Sequence, residues 1–225
     1  MLSDLGHQVW ACIRPGGNSG GLLDSERLSL AEVDAENWEE IDSFFLKLKD
    51  DDVALSGVAV CIGSILLKPA HLTRREEFDF TLNRNLGCAF GVVRAACRHF
   101  MKTGGSIALV SSAVASHGYA NHEAIAAAKG GIEALVRSAA STYSSSGIRV
   151  NAVAPGLVET PLSEKIVNSD AAYESSRKMH ALGRIGQPDD VASAIAWLLD
   201  SRQSWITGQI IGVDGGLSRV NSRAV

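Results

Sequence analysis

The chain has 225 residues, of which 46% are hydrophobic and 20% are charged, and its formal net charge at pH 7 is -4. This composition excludes a disordered chain and predicts a single globular domain over residues 1–225. The weak negative charge gives no electrostatic reason to expect nucleic acid or an anionic membrane as a partner, and no apolar run reaches the length of a membrane span.

The first residues and the cysteines bear on where the protein works. The stretch Met1-Leu2-Ser3-Asp4-Leu5-Gly6 has neither the basic lead nor the long apolar run of a signal peptide, so a cytoplasmic location is predicted. No C-x-x-C spacing occurs, so neither a metal site nor a redox pair is expected. The cysteines all lie in apolar segments and are predicted to be reduced and buried. They are Cys12, Cys61, Cys88 and Cys97.

The first half of the chain predicts three strands and three helical segments. The strands cover 9–13, 28–33 and 58–62, and the helices cover 38–49 and 75–101, the latter with a break near Asn85. Composition predicts a flexible loop through Asn18-Ser19-Gly20-Gly21. Asp34 could cap the helix that starts at residue 38.

The second half continues the alternation of strands and helices. Strands are predicted at 106–111, 148–154 and 208–213, and helices at 120–147 and from Pro188 to about residue 199. The polar stretch 158–182 is predicted to be helical and to form a mobile flap. Strands that alternate with helices predict an α/β fold, with a doubly wound parallel sheet of the Rossmann type covered on both faces.

The spacing of two residues in the second half of the chain indicates an active site. Ser112 lies thirteen positions before residue 125, and Lys129 lies four positions after it. This pattern resembles the active-site segment of the short-chain dehydrogenase/reductase family, whose signature is Ser followed by Tyr-x-x-x-Lys. Asn85-Leu86-Gly87 resembles the helix segment that carries the family's catalytic Asn. Cys61-Ile62-Gly63 stands where the family usually has Asn-Ala-Gly, and 148–156 resembles the strand and Pro-Gly turn that lie against the nicotinamide.

The resemblance implies a cofactor, NADP or NAD, and a small carbonyl or alcohol as substrate. It implies that Ser112 orients the substrate carbonyl, that Lys129 binds the cofactor ribose and that Asn85 supports a water-linked proton path. Arg14 could meet a 2′-phosphate and Asp34 could lie near the adenine. The other residues expected against the cofactor are Gly63, Pro155, Gly156, Val158 and Thr160. The family also implies a homodimer or homotetramer.

The beginning of the chain departs from the family pattern. No strand with a glycine-rich turn precedes Val9, and the segment 16–21 is no substitute because no obvious helix follows it. Three explanations are open: the first fifty residues rearrange, another segment or subunit takes the place of the first strand, or the reading frame starts downstream of the native one. We favour the last, because the remaining chain keeps the family pattern.

The second departure is Ile125, which stands where the family has its proton-transferring Tyr. An isoleucine cannot transfer a proton. His122 lies three residues earlier on the predicted helix and is the nearest candidate replacement, although a histidine that only satisfies local hydrogen bonds at a helix start explains it as well. Asn121 would then cap the helix. Tyr119, in the preceding loop, is a weaker candidate.

The family residues also have purely structural interpretations. Ser112 could cap a loop, Asn85 could mark a helix break and Lys129 could be a solvated lysine, but their joint spacing favours retained roles. Two main hypotheses follow: an oxidoreductase in which His122 or an ordered water replaces Tyr, and a non-catalytic or cofactor-free binding or scaffold protein. A non-redox enzyme using Ser112 and His122 is disfavoured, since no acidic residue is placed to orient the histidine.

Overall fold

Strands and helices alternate along the chain in the computed structural model, which describes residues 1–17 and 26–220. The predicted loop at 18–21 lies outside the described residues. The strands are β1 (Val9–Ile13), β2 (Leu28–Glu32), β3 (Gly57–Val60), β4 (Gly105–Val110), β5 (Ile148–Pro155) and β6 (Ile210–Val213). The α-helices are α1 (Trp38–Asp50), α2 (Arg75–Leu82), α3 (Cys88–Phe100), α4 (Glu123–Tyr143), α5 (Glu164–Val167), α6 (Asp170–Met179) and α7 (Pro188–Leu199).

All strand pairs are parallel, which confirms the predicted fold class. β3, β4, β5 and β6 form one sheet in that order, while β1 and β2 pair with each other in a second sheet. The register of the larger sheet places Ile107 opposite Val58 on one side and Val150 on the other. Parallel neighbours need crossover connections, and the helices between the strands supply them.

The larger sheet is buried on both faces. Ile107 and Leu109 of β4 belong to a core cluster that also includes residues of α1, α3 and α4. Ala108, between them in the sequence, belongs to a second cluster with Ile195 and Leu198 of α7. Alternate residues of a strand point to opposite faces, so β4 must be apolar throughout, as its sequence is.

A cavity of about 1680 Å³ lies between β1 and β3. Residues that precede both strands and residues that follow both strands line it, among them Gln8, Ser56, Arg14 and Cys61. The cavity therefore runs along the length of both strands. Within residues 1–17 and 26–220 no hydrogen-bonded ladder joins the two sheets. The three explanations for the beginning of the chain stay predictions.

Two local expectations in the first half of the chain were wrong. Asn37, not Asp34, caps α1: its side chain accepts a hydrogen bond from the Glu39 backbone N–H. The Asp34 carboxylate instead accepts one from the Glu36 N–H, in a turn before the helix. The cysteines are also not all buried, since Cys12 and Cys61 are exposed and line the cavity, whereas the other two are buried.

The polar stretch after β5 is helical, as predicted. It contains α5 and α6 and returns to its own beginning, where Val158 forms an isolated bridge with Gly186. Its mobility stays a prediction. None of the helices in the described residues has the length and hydropathy that a bilayer crossing requires.

Candidate active site

Asn85 lies in the helix break that the sequence predicted. A π-helical turn, Asn83–Gly87, separates α2 from α3, and such turns are frequent at functional sites. The Asn85 side chain is 1% exposed. Its Nδ2 donates to the Thr81 carbonyl oxygen at 2.9 Å and to Ser64 Oγ at 3.0 Å, while its Oδ1 accepts from the Ser64 N–H at 3.3 Å. These bonds fix the amide against the loop after β3.

Gly63 brings that loop close to Lys129. A Cβ atom added to Gly63 would lie 2.9 Å from Asn85 Oδ1 and 3.5 Å from Lys129 Nζ. Any larger residue would therefore displace the Asn85 amide. The structure thus brings together three of the residues that the sequence singled out, from three separate segments of the chain.

Lys129 is 7% exposed, which contradicts the interpretation of a solvated helix lysine. Its Nζ donates to the Val110 carbonyl oxygen at 2.9 Å. Burial lowers the pKa of Lys129 to about 8, and the nearby Cys61 sulfur opposes this effect. Cys61 was not predicted as a site residue, and only its place two residues before Gly63 in the sequence could have suggested it.

Ser112 follows Val110 by two residues at the carboxyl end of β4, so it lies at the strand end that Lys129 reaches. Its Oγ accepts a long hydrogen bond of 3.4 Å from the Val114 N–H. The loop-capping interpretation is therefore correct for the oxygen. The hydroxyl hydrogen is not used in that contact and can donate to a bound molecule.

Ile125 is 5% exposed and packs as an ordinary core residue of α4. One turn earlier His122 occupies the N-cap position, which was predicted for Asn121; Asn121 instead has a φ of 64° in the preceding turn. His122 Nδ1 lies 2.7 Å from the Ala120 carbonyl oxygen. A carbonyl only accepts, so Nδ1 carries a hydrogen, and in the neutral ring Nε2 has the lone pair.

Tyr119 is less suited to proton transfer. Its ring contacts that of His122, with the centroids 5.7 Å apart. Burial and the charge of Asp214 raise the pKa of Tyr119, so it is a weaker acid than an ordinary tyrosine.

The turn after β5 is built from the predicted cofactor-contacting residues. Gly156 N–H donates to the Val213 carbonyl oxygen at 3.3 Å, which ties the turn to the end of β6. Thr160 pairs with Ser163 in a capping box of the short helical turn that follows. His180, which the sequence analysis did not single out, lies against this turn. Its partners there are backbone groups distant in sequence, so no pattern of residue types could have revealed it.

Arg14 and Asp34 belong to the other sheet. Arg14 follows β1 and lines the cavity, and Asp34 follows β2. Both stand where the β1–β2 pair ends, across the cavity from β3. The structure therefore brings Asn85 and Lys129 close to Gly63 and leaves Arg14 and Asp34 at the ends of the strands of the other sheet.

The residues present fit the ribose end of a nicotinamide cofactor. The Lys129 ammonium is buried and, within the described residues, donates one hydrogen bond, so two of its hydrogens remain for hydroxyl oxygens. For the pyrophosphate, the described residues supply no glycine-rich turn that opens a helix. They also contain no group of three or more His, Cys, Asp or Glu side chains that could hold a metal ion.

Comparisons with known proteins agree with this geometry. A family model described as enoyl-(acyl carrier protein) reductase matches residues 20–218. The chain is 34% identical over 198 residues to the 3-oxoacyl-(acyl-carrier-protein) reductase FabG of Thermotoga maritima, covering 88% of this chain and 78% of that protein. The chain belongs to the short-chain dehydrogenase/reductase family.

Two solved structures extend the comparison. A short-chain type dehydrogenase/reductase from Mycobacterium ulcerans has a TM-score of 0.82 and 28% identity, covering 87% of this chain and 72% of that one. The structure of ElxO with NADP bound has a TM-score of 0.81 and 25% identity, covering 85% and 79%. At the level of its family, this protein is an NAD(P)-dependent oxidoreductase.

Proposed function

We propose that this protein transfers a hydride between NADP(H) or NAD(H) and a small carbonyl or alcohol, at an active site that lacks the family's tyrosine. The observation that carries the proposal is the convergence of Asn85 and Lys129 around Gly63, beside the strand end that bears Ser112. Carboxyl ends of parallel strands are where α/β proteins bind ligands.

The side chains divide the work as follows. A bound nicotinamide supplies or accepts the hydride. Lys129 donates its two remaining hydrogens to ribose hydroxyls, and Ser112 donates its hydroxyl hydrogen to the substrate oxygen. Asn85 holds the loop at Ser64 in place and supports the proton path. The remaining cofactor contacts are Pro155, Gly156, Val158 and Thr160 at the nicotinamide, and Arg14 and Asp34 at the adenosine.

The proton that tyrosine handles elsewhere passes through His122 or an ordered water. The His122 Nδ1–H is held by the Ala120 carbonyl, and Nε2 is left to accept or return a proton. NADP is supported by the relative that is described with NADP bound and by the positive charge of Arg14. The substrate class is supported by the carbonyl substrate that the FabG name states.

Cofactor binding is the first test. NADPH and NADH are titrated into the chain while nicotinamide fluorescence is followed. We expect saturation below about 1 mM, the upper end of ordinary enzyme affinities. Lys129→Met should abolish the response, and the exposed Lys47→Met should leave it unchanged. A wild-type chain that gives no response at that concentration would refute the proposal.

The proton donor is tested separately. His122→Ala should lower kcat by about 10²-fold, the usual share of general acid–base catalysis, with the cofactor Kd unchanged. The exposed His71→Ala serves as the matched control. Unchanged turnover in His122→Ala would show that a water molecule, and not His122, transfers the proton.

A second candidate is a non-catalytic or cofactor-free binding protein. It is favoured by the buried Ile125 in place of an acid and by the cavity that separates the two sheets. Cofactor binding without turnover of any carbonyl or alcohol would support a binding protein, and no cofactor binding would support the cofactor-free form.

We further propose that residues 1–225 form one domain, that the protein is cytoplasmic and that it assembles as a homodimer or homotetramer through α3 and α4. The alanines and glycines of α4 allow close packing of helices, which supports the assembly.

A further inference from the structure

His180 is a buried histidine just after α6, with 3% of its surface exposed. Its Nε2 accepts a hydrogen bond from the Leu157 backbone N–H at 3.2 Å. Its Nδ1 lies 2.6 Å from the Ser176 carbonyl oxygen. An N–H can only donate and a carbonyl can only accept, so the ring must be neutral with its hydrogen on Nδ1. Both ring nitrogens are therefore committed to backbone partners.

The imidazole lies directly on the turn after β5. A Cβ atom added to Gly156 would be 2.5 Å from His180 Nε2, closer than atoms can approach, so only glycine admits the ring. On its other side the His180 Cβ is near Gly215, in the turn after β6, and the Leu182 N–H donates to the Gly215 carbonyl oxygen at 3.0 Å. His180 thus connects the two turns at the carboxyl end of the sheet.

Leu157 is held from two directions. The Leu157 N–H donates to His180 Nε2, and the Leu157 carbonyl oxygen accepts a hydrogen bond from the Gly186 N–H at 2.8 Å. The Glu159 N–H in turn donates to the Gly186 carbonyl oxygen at 2.9 Å. The residues that follow Gly156 are consequently fixed at the start and the end of the segment 157–186.

We propose that His180 is a positioning residue that holds the segment 157–186 against the Gly156 turn and so sets where Val158 and Thr160 meet the nicotinamide and the substrate. The inference rests on the proposed function for its consequence in turnover. We call the hydrogen bonds from His180 to Leu157 and Ser176 the clamp, and these bonds do not depend on the proposed function.

The clamp depends on the protonation of the ring. A proton added at Nε2 replaces an acceptor by a donor, so the Leu157 N–H loses its partner. The charged group that faces the ring from the β6 turn is Asp214, which is near enough for its charge to interact with His180. From α6, Arg177 is engaged by Glu174 and by the Gly183 carbonyl. A ring that carried a proton on both nitrogens would therefore release the Leu157 N–H.

Two substitutions separate the two bonds. In His180→Gln the side-chain oxygen can reach the Nε2 position and accept from Leu157 N–H. In His180→Asn the amide can imitate only Nδ1, so the bond to Ser176 is kept and that to Leu157 is lost. His71→Gln, at an exposed histidine, is the control.

The first measurement is hydrogen exchange of the Leu157 amide by NMR. In His180→Asn we expect its protection to fall about tenfold, the worth of one hydrogen bond, and in His180→Gln to stay near the wild-type value. Equal protection of the Leu157 amide in the wild type and in both variants would overturn the clamp.

The second measurement is steady-state turnover. His180→Asn should raise the KM for the carbonyl substrate by about tenfold while the cofactor Kd is unchanged, and His180→Gln should restore it. If His180→Asn lost the protection of the Leu157 amide but kept the wild-type KM, the positioning role would be overturned. A chain without cofactor binding refutes the proposed function but leaves the exchange result to decide on the clamp.

Discussion

Replacing Lys129 by methionine should stabilise the protein, and the size of the effect follows from its burial. Burial lowers the pKa of Lys129 from its ordinary 10.5 to about 8. The unfolded chain therefore holds this proton more tightly than the folded chain. At 1.36 kcal/mol per pH unit, the difference of 10.5 - 8 = 2.5 lowers the free energy of unfolding by about 3 kcal/mol below pH 8, and the loss is recovered as the pH rises from about 8 towards 10.5.

Methionine has a similar length and carries no charge to bury. It forfeits the hydrogen bond to the Val110 carbonyl oxygen, which is worth about 1 kcal/mol. We expect Lys129→Met to be more stable than the wild type by about 2 kcal/mol at pH 7, and the difference to shrink by about 2 kcal/mol at pH 9.5. Urea unfolding of both chains without cofactor, at the two pH values, measures this. Lys47→Met, at an exposed lysine, should show no such pH-dependent difference.

Two outcomes would refute the reasoning. If Lys129→Met were less stable at pH 7, the ammonium would be better solvated or paired than its surroundings indicate. If the difference did not depend on pH, the substitution would act through packing rather than through charge. The expected gain has a functional cost, because the same variant should lose the cofactor, as is usual where an active site holds a destabilising group.

Three further predictions concern the helix face, the cavity and the assembly. Ile125→Tyr places a phenol one turn before Lys129, and we expect kcat to rise by about 10²-fold; an unchanged rate in a folded variant would contradict retained roles for the surrounding residues. Maleimide should label Cys12 and Cys61 in the native chain, and Cys88 and Cys97 only after unfolding, as read by peptide mass spectrometry; native labelling of the latter pair would show that the core opens. Light scattering should give a multiple of 23.8 kDa, and a monomer would exclude the proposed assembly through α3 and α4.

Hydrophobic periodicity was sufficient to predict the order of the elements, because each strand or helix buries a face that its own residues define. The site could be predicted only in part. The spacing places Ser112 at the end of a strand and Lys129 near the start of the helix that follows. A parallel sheet brings such positions to the same edge. The approach of Lys129 and Asn85 to Gly63 additionally depends on the path of the loop after β3, which no local pattern describes.

The errors have two physical origins. Asp34 and Asn121 are both good capping residues, yet Asn37 and His122 occupy the N-cap positions, since the path of the chain into the helix decides which residue has the right backbone conformation. Cys12 was expected to be buried because its neighbours are apolar. Apolar neighbours indicate a strand of a covered sheet, but they do not say whether the adjacent strand is present.

The division of the sheet bears directly on how the cofactor would bind. Lys129, Asn85 and Gly63 belong to a helix, a helical turn and a loop next to the four-stranded sheet, whose core is packed on both faces, so this half of the site is rigid before any ligand arrives. Arg14 follows the two-stranded sheet across the cavity, and two strands alone are marginally stable. Asp34 follows the same sheet, but its neighbours Val33 and Ala35 pack against the core of the larger sheet. A dinucleotide that reaches Arg14 must order β1 against the larger sheet, and that cost reduces its affinity.

Nicotinamide mononucleotide needs only the residues around Lys129. We therefore expect the dinucleotide to bind only slightly more tightly than the mononucleotide. In an uninterrupted sheet its additional contacts would give a much larger difference in affinity. Competition between the two ligands in the fluorescence titration measures this difference. A dinucleotide bound more than about 10³-fold tighter, about 4 kcal/mol, would show that the two sheets already act as one body.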